Sequence, residues 1–253
     1  MTGIQLNDIS TRAGEDKDKK EINEKTAEML KELSELQNLL YAEGKQSLLV
    51  ILQGMDASGK DGVIRNVFGA LNPQGIHVKS FKAPTSEELS HDFLWRIHPH
   101  APSKGMVQIF NRSHYEDILI TRVRGWCDDD LAGKRMKAIN DWEELISIHN
   151  NTSILKFYLH VSFKEQQERL AERLNDPAKM WKHNPGDEEE AKLWDNYMKV
   201  YEDCFANCNI IPWTIVPSDQ NWYKEYLVAG KVLETLTTLK MKFPDLNEKA
   251  AKL

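Results

Sequence analysis

The sequence predicts an α/β protein built on a five-stranded parallel sheet sandwiched by helices, and three observations carry that expectation. Five short apolar runs, Ser47–Gln53, Gly75–Phe81, Gly105–Phe110, Ser153–Val161 and Ile210–Val216, alternate with stretches of helical periodicity, the order that sets parallel strands beneath crossover helices. Between the first run and the helix that follows lies "GMDASGKD", residues 54–61, a glycine-bounded turn in the strand–loop–helix setting of a phosphate-binding loop. With 253 residues and no internal repeat, low-complexity tract or linker, the chain reads as a single domain over residues 1–253, with ample capacity for a core.

Taken in order, residues 1–16 are polar and read as a loose start. Residues 17–44 read as a long amphipathic helix, because Ile22, Met29, Leu33, Leu36 and Leu40 recur at three, four or seven positions and form one stripe. The first strand runs directly into the glycine-bounded loop. The remaining strands and helices alternate until "RLNDPAKMWKHNPGDEEE", residues 173–190, where two prolines and a glycine interrupt a helical pattern.

Composition narrows the function classes. The balance of 33 Lys+Arg against 39 Asp+Glu gives a net charge of −6, which argues against a protein that grips nucleic acid along its surface. Gly54–Arg124 carries nine Lys/Arg and seven Asp/Glu, so a +2 segment sits in a remainder of −8, as suits a site for a small or linear anion. Cys127, Cys204 and Cys208 lack zinc-ligand spacing and read as thiols in a reducing compartment. No signal-peptide core or membrane-length apolar run is present, so the expectation is a cytoplasmic protein with no membrane partner.

The chemistry concentrates at strand ends. Backbone N–H groups around Ala57, Ser58, Gly59 and Lys60 would line an anion-binding concavity at the positive end of a helix, with Lys60 adding a movable charge. Asp56 and Asp61 lie in the same loop, and Asp61 stands where a Ser or Thr hydroxyl ordinarily helps hold magnesium; a divalent cation would reconcile these carboxylates with phosphate. Asp61 also suits the helix dipole with no further role. The third strand ends in "IFNRSHYED", offering Asn111, Arg112, His114, Glu116 and Asp117; Ser113 and Glu116 also match a helix-capping box. Arg65, Lys79, Lys82, Arg122, Arg169, Arg173, Lys179 and Lys182 are further candidate phosphate contacts, Arg169 and Arg173 sharing one helix face.

The stretches "GMDASGKDGVIRNVFGALNPQG", "FKAPT", "FNRSHYED" and "DPAKMWK…WDNYMKVYEDC…PWTIVPSDQNWYK" closely resemble the type-2 polyphosphate kinases, from about Leu48 to Tyr226. The resemblance implies a P-loop kinase fold like that of thymidylate kinase, with a helical lid at residues 169–190. It implies reversible, Mg²⁺-dependent transfer, with Mn²⁺ as substitute, of the terminal phosphoryl group of inorganic polyphosphate to AMP and ADP, giving ADP and ATP, with guanine nucleotides as further acceptors. It also implies a homodimer or homotetramer. Carried onto this chain, Asp56 and Asp117 match the magnesium-binding acids, Lys60 and Arg112 the phosphoryl-binding cations, and Asp61 a further acid of the site. Many relatives carry Asp where this chain has Asn111. Glu116 resembles the class that phosphorylates both mono- and diphosphates, where a carboxylate would assist metal binding; members limited to diphosphates carry Asn there. An ATP-dependent nucleoside monophosphate kinase and a non-catalytic nucleotide-binding regulator are the rival readings, and polyphosphate-driven turnover separates them.

Overall fold

The computed structural model describes residues 4–182 and 186–245. Five strands, β1 (Ser47–Gln53), β2 (Ile76–Ser80), β3 (Val107–Asn111), β4 (Thr152–His160) and β5 (Trp213–Pro217), form one parallel sheet in the order β2-β3-β1-β4-β5. Every residue of β1 is buried, because strands on both sides and helices on both faces leave it no solvent. Its side chains alternate as the pleat demands. Leu49 and Ile51 enter one apolar cluster with Phe110, Tyr158 and Phe205; Leu48, Val50 and Leu52 enter the other with Phe157, Val228 and Val232. Each fully buried Leu, Ile or Val contributes roughly 1.5–3 kcal/mol.

The helices are α1 (Lys19–Glu43), α2 (Lys60–Val63), α3 (Ser86–Leu89), α4 (Ile120–Val123), α5 (Asp129–Asn150), α6 (Phe163–Asn175), α7 (Asp187–Lys192), α8 (Trp194–Asn207) and α9 (Asn221–Thr238). Asp18 caps α1 by accepting from Glu21 N at 2.8 Å, and Gly44, at φ 63°, ends it in a left-handed turn. The stripe expected from the sequence is the docking face: Ile22, Leu33 and Leu40 are buried, and Met29 and Leu36 pack against the second cluster beside α9. α2 is a single α turn that widens into a π-type coil over Ile64–Phe68, so the helix after the loop is shorter and less regular than the periodicity suggests.

The N-terminal segment departs from expectation. Residues 4–13 are tied to α8 and to the turn after β5 rather than loose: Leu6 is 1% exposed, its N–H donates to Glu202 at 2.7 Å, and Thr11 hydrogen-bonds with Asp219. A polar composition concealed this, since the anchor is one leucine and the partners lie about two hundred residues away. Of the expected lid, residues 169–175 complete α6, Met180–Lys182 form a 3-10 turn, and α7 begins at Asp187; residues 183–185 lie outside the described residues.

Candidate active site

The loop between β1 and α2 occupies the carboxyl end of the central strand, where parallel α/β sheets place ligands. Gly54, at φ 150°, packs where a Cβ would meet Ser58 Oγ at 2.8 Å and the Leu159 carbonyl at 2.9 Å. Ala57 adopts a left-handed φ of 62°, a strained conformation for a residue with a side chain. The Lys60 ammonium, 8% exposed, folds back to donate to the Gly54 and Met55 carbonyls at 2.7 and 3.1 Å. Burial, reinforced by the charge of Arg112, pulls its pKa down to about 8, against the opposing pull of Asp56 and Glu116.

At the end of β3, beside β1, Arg112 also adopts a left-handed backbone, φ 60°, held by its N–H on the Leu52 carbonyl at 3.1 Å. That geometry aims the guanidinium across the strand ends at Asp56 Oδ1 and brings it within 3.7 Å of Glu116. Burial raises the Asp56 carboxyl, but the charges of Arg112, Lys60 and Arg173 outweigh it and hold the group below its ordinary range. Glu116 goes the other way: burial raises it, with Asp56 and Asp117 adding repulsion to a carboxylate that Arg112 and Lys60 only partly stabilise. Asn111 donates to Asp61 at 3.0 Å.

The capping-box reading of Ser113 and Glu116 holds only in half. Ser113 Oγ accepts from Tyr115 N at 3.2 Å, whereas the Glu116 carboxylate turns toward Arg112 and lies 3.0 Å from the Gln53 amide nitrogen once that amide is oriented to match its donors and acceptors. Asp117 is separated from this pair. Its carboxylate faces Arg96 at 3.5 Å, and its carbonyl accepts from Arg135 at 2.6 Å. Among the described residues no group of three or more His, Cys, Asp or Glu is gathered as a ready metal cage.

The other candidate cations divide. Arg169 reaches the loop, donating to the Ala57 carbonyl at 2.9 Å and to the Ser218 and Asp219 carbonyls at 2.8 and 3.0 Å, while Arg173 acts on Asp56 through its charge. Lys79 lies over the Phe81 ring, Lys82 is exposed, and Arg65 is exposed and bonds Asn66. Arg122 is engaged by Asp129 and Asp203, and Lys179 by Glu172 and Asp176. Lys182 ends the 3-10 turn. Arg124 is engaged by Glu190 of α7, which Tyr197 also binds. His114 does not fit the phosphate contact read from sequence: it is fully buried, 3.4 Å from Glu143 and packed on Tyr115 and Trp142, because the turn after Ser113 points it into the core.

Sequence reasoning missed Gln53, Arg96, Arg135, Gln166 and Lys224. Gln166 donates to the Asp56 carbonyl at 3.1 Å, and Lys224 sits behind Gly59. Gln53 alone carried a signal, as a polar residue closing an otherwise apolar strand one position before the loop.

A glycine-bounded loop, a lysine on it and an arginine–carboxylate pair at adjacent strand ends define a phosphate-handling α/β protein of the P-loop kind. The chain matches the family model Polyphosphate kinase 2 (PPK2) over residues 16–244, and it belongs to that family. It is 46% identical over 223 residues to the AMP/ADP-polyphosphate phosphotransferase of Meiothermus ruber, covering 87% of this chain and 83% of that one. It is 41% identical over 230 residues to the ADP-polyphosphate phosphotransferase of Rhodopseudomonas palustris, covering 84% and 78%. The crystal structure of polyphosphate kinase 2 from Arthrobacter aurescens TC1 superposes with a TM-score of 0.92 at 40% identity, covering 99% of this chain and 93% of that one.

Proposed function

We propose that this chain is a polyphosphate-dependent nucleotide kinase that moves the terminal phosphoryl group of inorganic polyphosphate onto AMP and ADP. The observation that carries the reading is Arg112 held between Asp56 and Glu116 above the loop of Lys60, in a chain of the polyphosphate kinase 2 family. Phosphoryl transfer asks mainly for placement and charge neutralisation, and these residues supply both. The nucleotide's terminal phosphate oxygen attacks the end phosphorus in line. One P–O bond forms, the P–O bond to the chain breaks, and the polyphosphate leaves one unit shorter. Lys60 and Arg112 are the groups to meet the charge that develops on the transferred phosphoryl oxygens. No protein nucleophile takes part.

Asp56 and Glu116 already converge on one cation, the Arg112 guanidinium, and their oxygen-only donor set suits Mg²⁺ or Mn²⁺. These two carboxylates would hold the ion, which when bound would neutralise phosphate charge, and Asp117 would join them by turning from Arg96. Such an ion would take its remaining ligands from water and substrate. No helix among the described residues is long and apolar enough to cross a membrane. Action in the cytoplasm and assembly as a homodimer or homotetramer belong to the same reading.

The test supplies polyphosphate and Mg²⁺ with AMP or ADP and no nucleoside triphosphate, and follows ADP and ATP. Product from both acceptors, abolished by a chelator, is expected. Folded protein that makes neither product with polyphosphate in excess would overturn the reading.

A further inference from the structure

Lys224, in the first turn of α9, is 0% exposed, and its ammonium lies against the phosphate loop from behind. A Cβ at Gly59 would come within 2.1 Å of Lys224 Nζ, so the ammonium occupies the space that the glycine, at φ 97°, leaves open. Its hydrogen-bond partners are neutral oxygens, Asn221 Oδ1 at 2.8 Å and the Ser58 carbonyl at 3.5 Å, and among the described residues it forms no ion pair. The neighbouring Ser58 hydroxyl is buried without a hydrogen-bond partner. A buried charge left without a counter-charge is costly, and proteins rarely keep one unless something compensates it. Two of the other cations at this loop, Lys60 and Arg169, donate to the carbonyls of Gly54, Met55 and Ala57.

We propose that Lys224 is a further anion-site residue of the phosphate loop, its ammonium acting on bound polyphosphate across Gly59, with the incoming phosphate as its missing counter-charge. This rests on the polyphosphate reading above. Burial, with the charge of Arg169 next, draws the free ammonium down to about 8, as expected of a cation waiting for an anion. The opposing charges that face it are Glu225 on its own helix and Glu165 on α6, with Lys60 acting in the same direction as Arg169. Lys224 is a positioning residue in this scheme: it fixes and charges the loop, and the transferred group is met by Lys60 and Arg112.

The experiment titrates tripolyphosphate, without nucleotide, into wild type, K224M and K224Q, and measures kcat, KM for polyphosphate and Tm on the same proteins. Losing one charge-assisted interaction should weaken tripolyphosphate binding and raise KM by about tenfold or more, with kcat changed less. Tm should hold or rise in K224M, since a buried charge has been replaced by an apolar chain of similar length. On the wild-type protein, the ¹⁵N resonance of the Lys224 ammonium should shift when tripolyphosphate is added. Unchanged affinity and KM with a lowered Tm would make Lys224 a structural residue and overturn the proposal. A resonance indifferent to tripolyphosphate would do the same. If wild type itself fails to bind tripolyphosphate, the polyphosphate reading falls first and the role of Lys224 falls with it.

Discussion

Arg112, just past the end of β3, donates through its guanidinium to Asp56, in the phosphate loop that follows β1, and so ties the end of one strand to the loop of its neighbour. The pair is partly open, with the Arg112 and Asp56 side chains 35% and 26% exposed, so substrate phosphate can compete for the guanidinium. Arg112→Ala should lower kcat by roughly 10²-fold or more, the effect of removing a donor aimed at developing charge. Arg112→Lys should recover little, because a point ammonium cannot span Asp56 and Glu116 as a planar fork does. Steady-state rates with polyphosphate and ADP check both; near-normal turnover in Arg112→Ala would remove the residue from the site.

The ammonium of Lys60 sets a pH limit. Its pKa falls from 10.5 to about 8 on folding, so between these values the unfolded chain binds the extra proton. This group's contribution to stability therefore rises with pH across that window, while the cationic form that would hold phosphate is lost. In the free enzyme kcat/KM should decline above about pH 8. Parallel profiles of kcat/KM and Tm test the opposition, and a kcat/KM flat to pH 10 would contradict it.

Glu116 is expected to decide the acceptor. AMP is one phosphate shorter than ADP, so its attacking oxygen must be reached across a gap that a hydrated cation would bridge; a carboxylate would help hold such a cation and an amide would hold it poorly. With its carboxylate turned to Arg112 and Gln53 rather than back to Ser113, Glu116 is placed for that task. Glu116→Asn should lose the AMP reaction far more than the ADP reaction. Equal losses, in initial rates at matched polyphosphate and Mg²⁺, would leave it with no acceptor role.

The segment between Asn175 and Glu189 should be a protease target that substrates protect. Pro177 and Pro185 break its helical pattern, and Arg169 and Arg173 at its threshold act on the loop and on Asp56. Limited digestion with and without polyphosphate plus nucleotide measures this, and identical cleavage rates would argue against closure.

Beneath the Glu116 turn, Lys156 Nζ donates to Glu143 at 2.8 Å, to Tyr115 Oη at 2.8 Å and to the Cys208 carbonyl at 3.0 Å, both charged groups being fully buried. Lys156→Met takes the lysine's charge from the buried Glu143, leaving it Tyr115 and His114, and should cost about 3–5 kcal/mol in urea unfolding. A loss within error of zero would mean that water or a shifted His114 replaces the lysine.

The strands and the loop were legible because their causes are local. A strand buried on both faces shows as an unbroken apolar run, and a phosphate loop needs its glycines and lysine in a fixed order. Glu116 and Arg112 were legible as candidates for the same reason. Their mutual engagement was not, since it depends on β3 lying beside β1 although β2 intervenes in the chain. Lys224 and Arg96 were invisible for a related reason: an isolated lysine or arginine in a helical pattern looks like a solvated surface charge until the fold buries it. His114 shows the converse, a residue in the right motif turned the wrong way by a single 3-10 turn.

Arg169 joins the Ala57 carbonyl to those of Ser218 and Asp219, and β1 pairs with β4 a hundred residues downstream. On the ribosome, the loop is therefore made early and braced late. Until β5 and α9 emerge, its carbonyls lack Arg169's second anchor, Gly59 has no ammonium behind it, and β1 lacks the apolar cover of α9. Closing such distant pairings carries a large loop entropy before any contact repays it, so folding should be slow for the chain's size and the apolar β1 run exposed meanwhile. A nascent chain halted before α9 would be a substrate for chaperones rather than a slower enzyme.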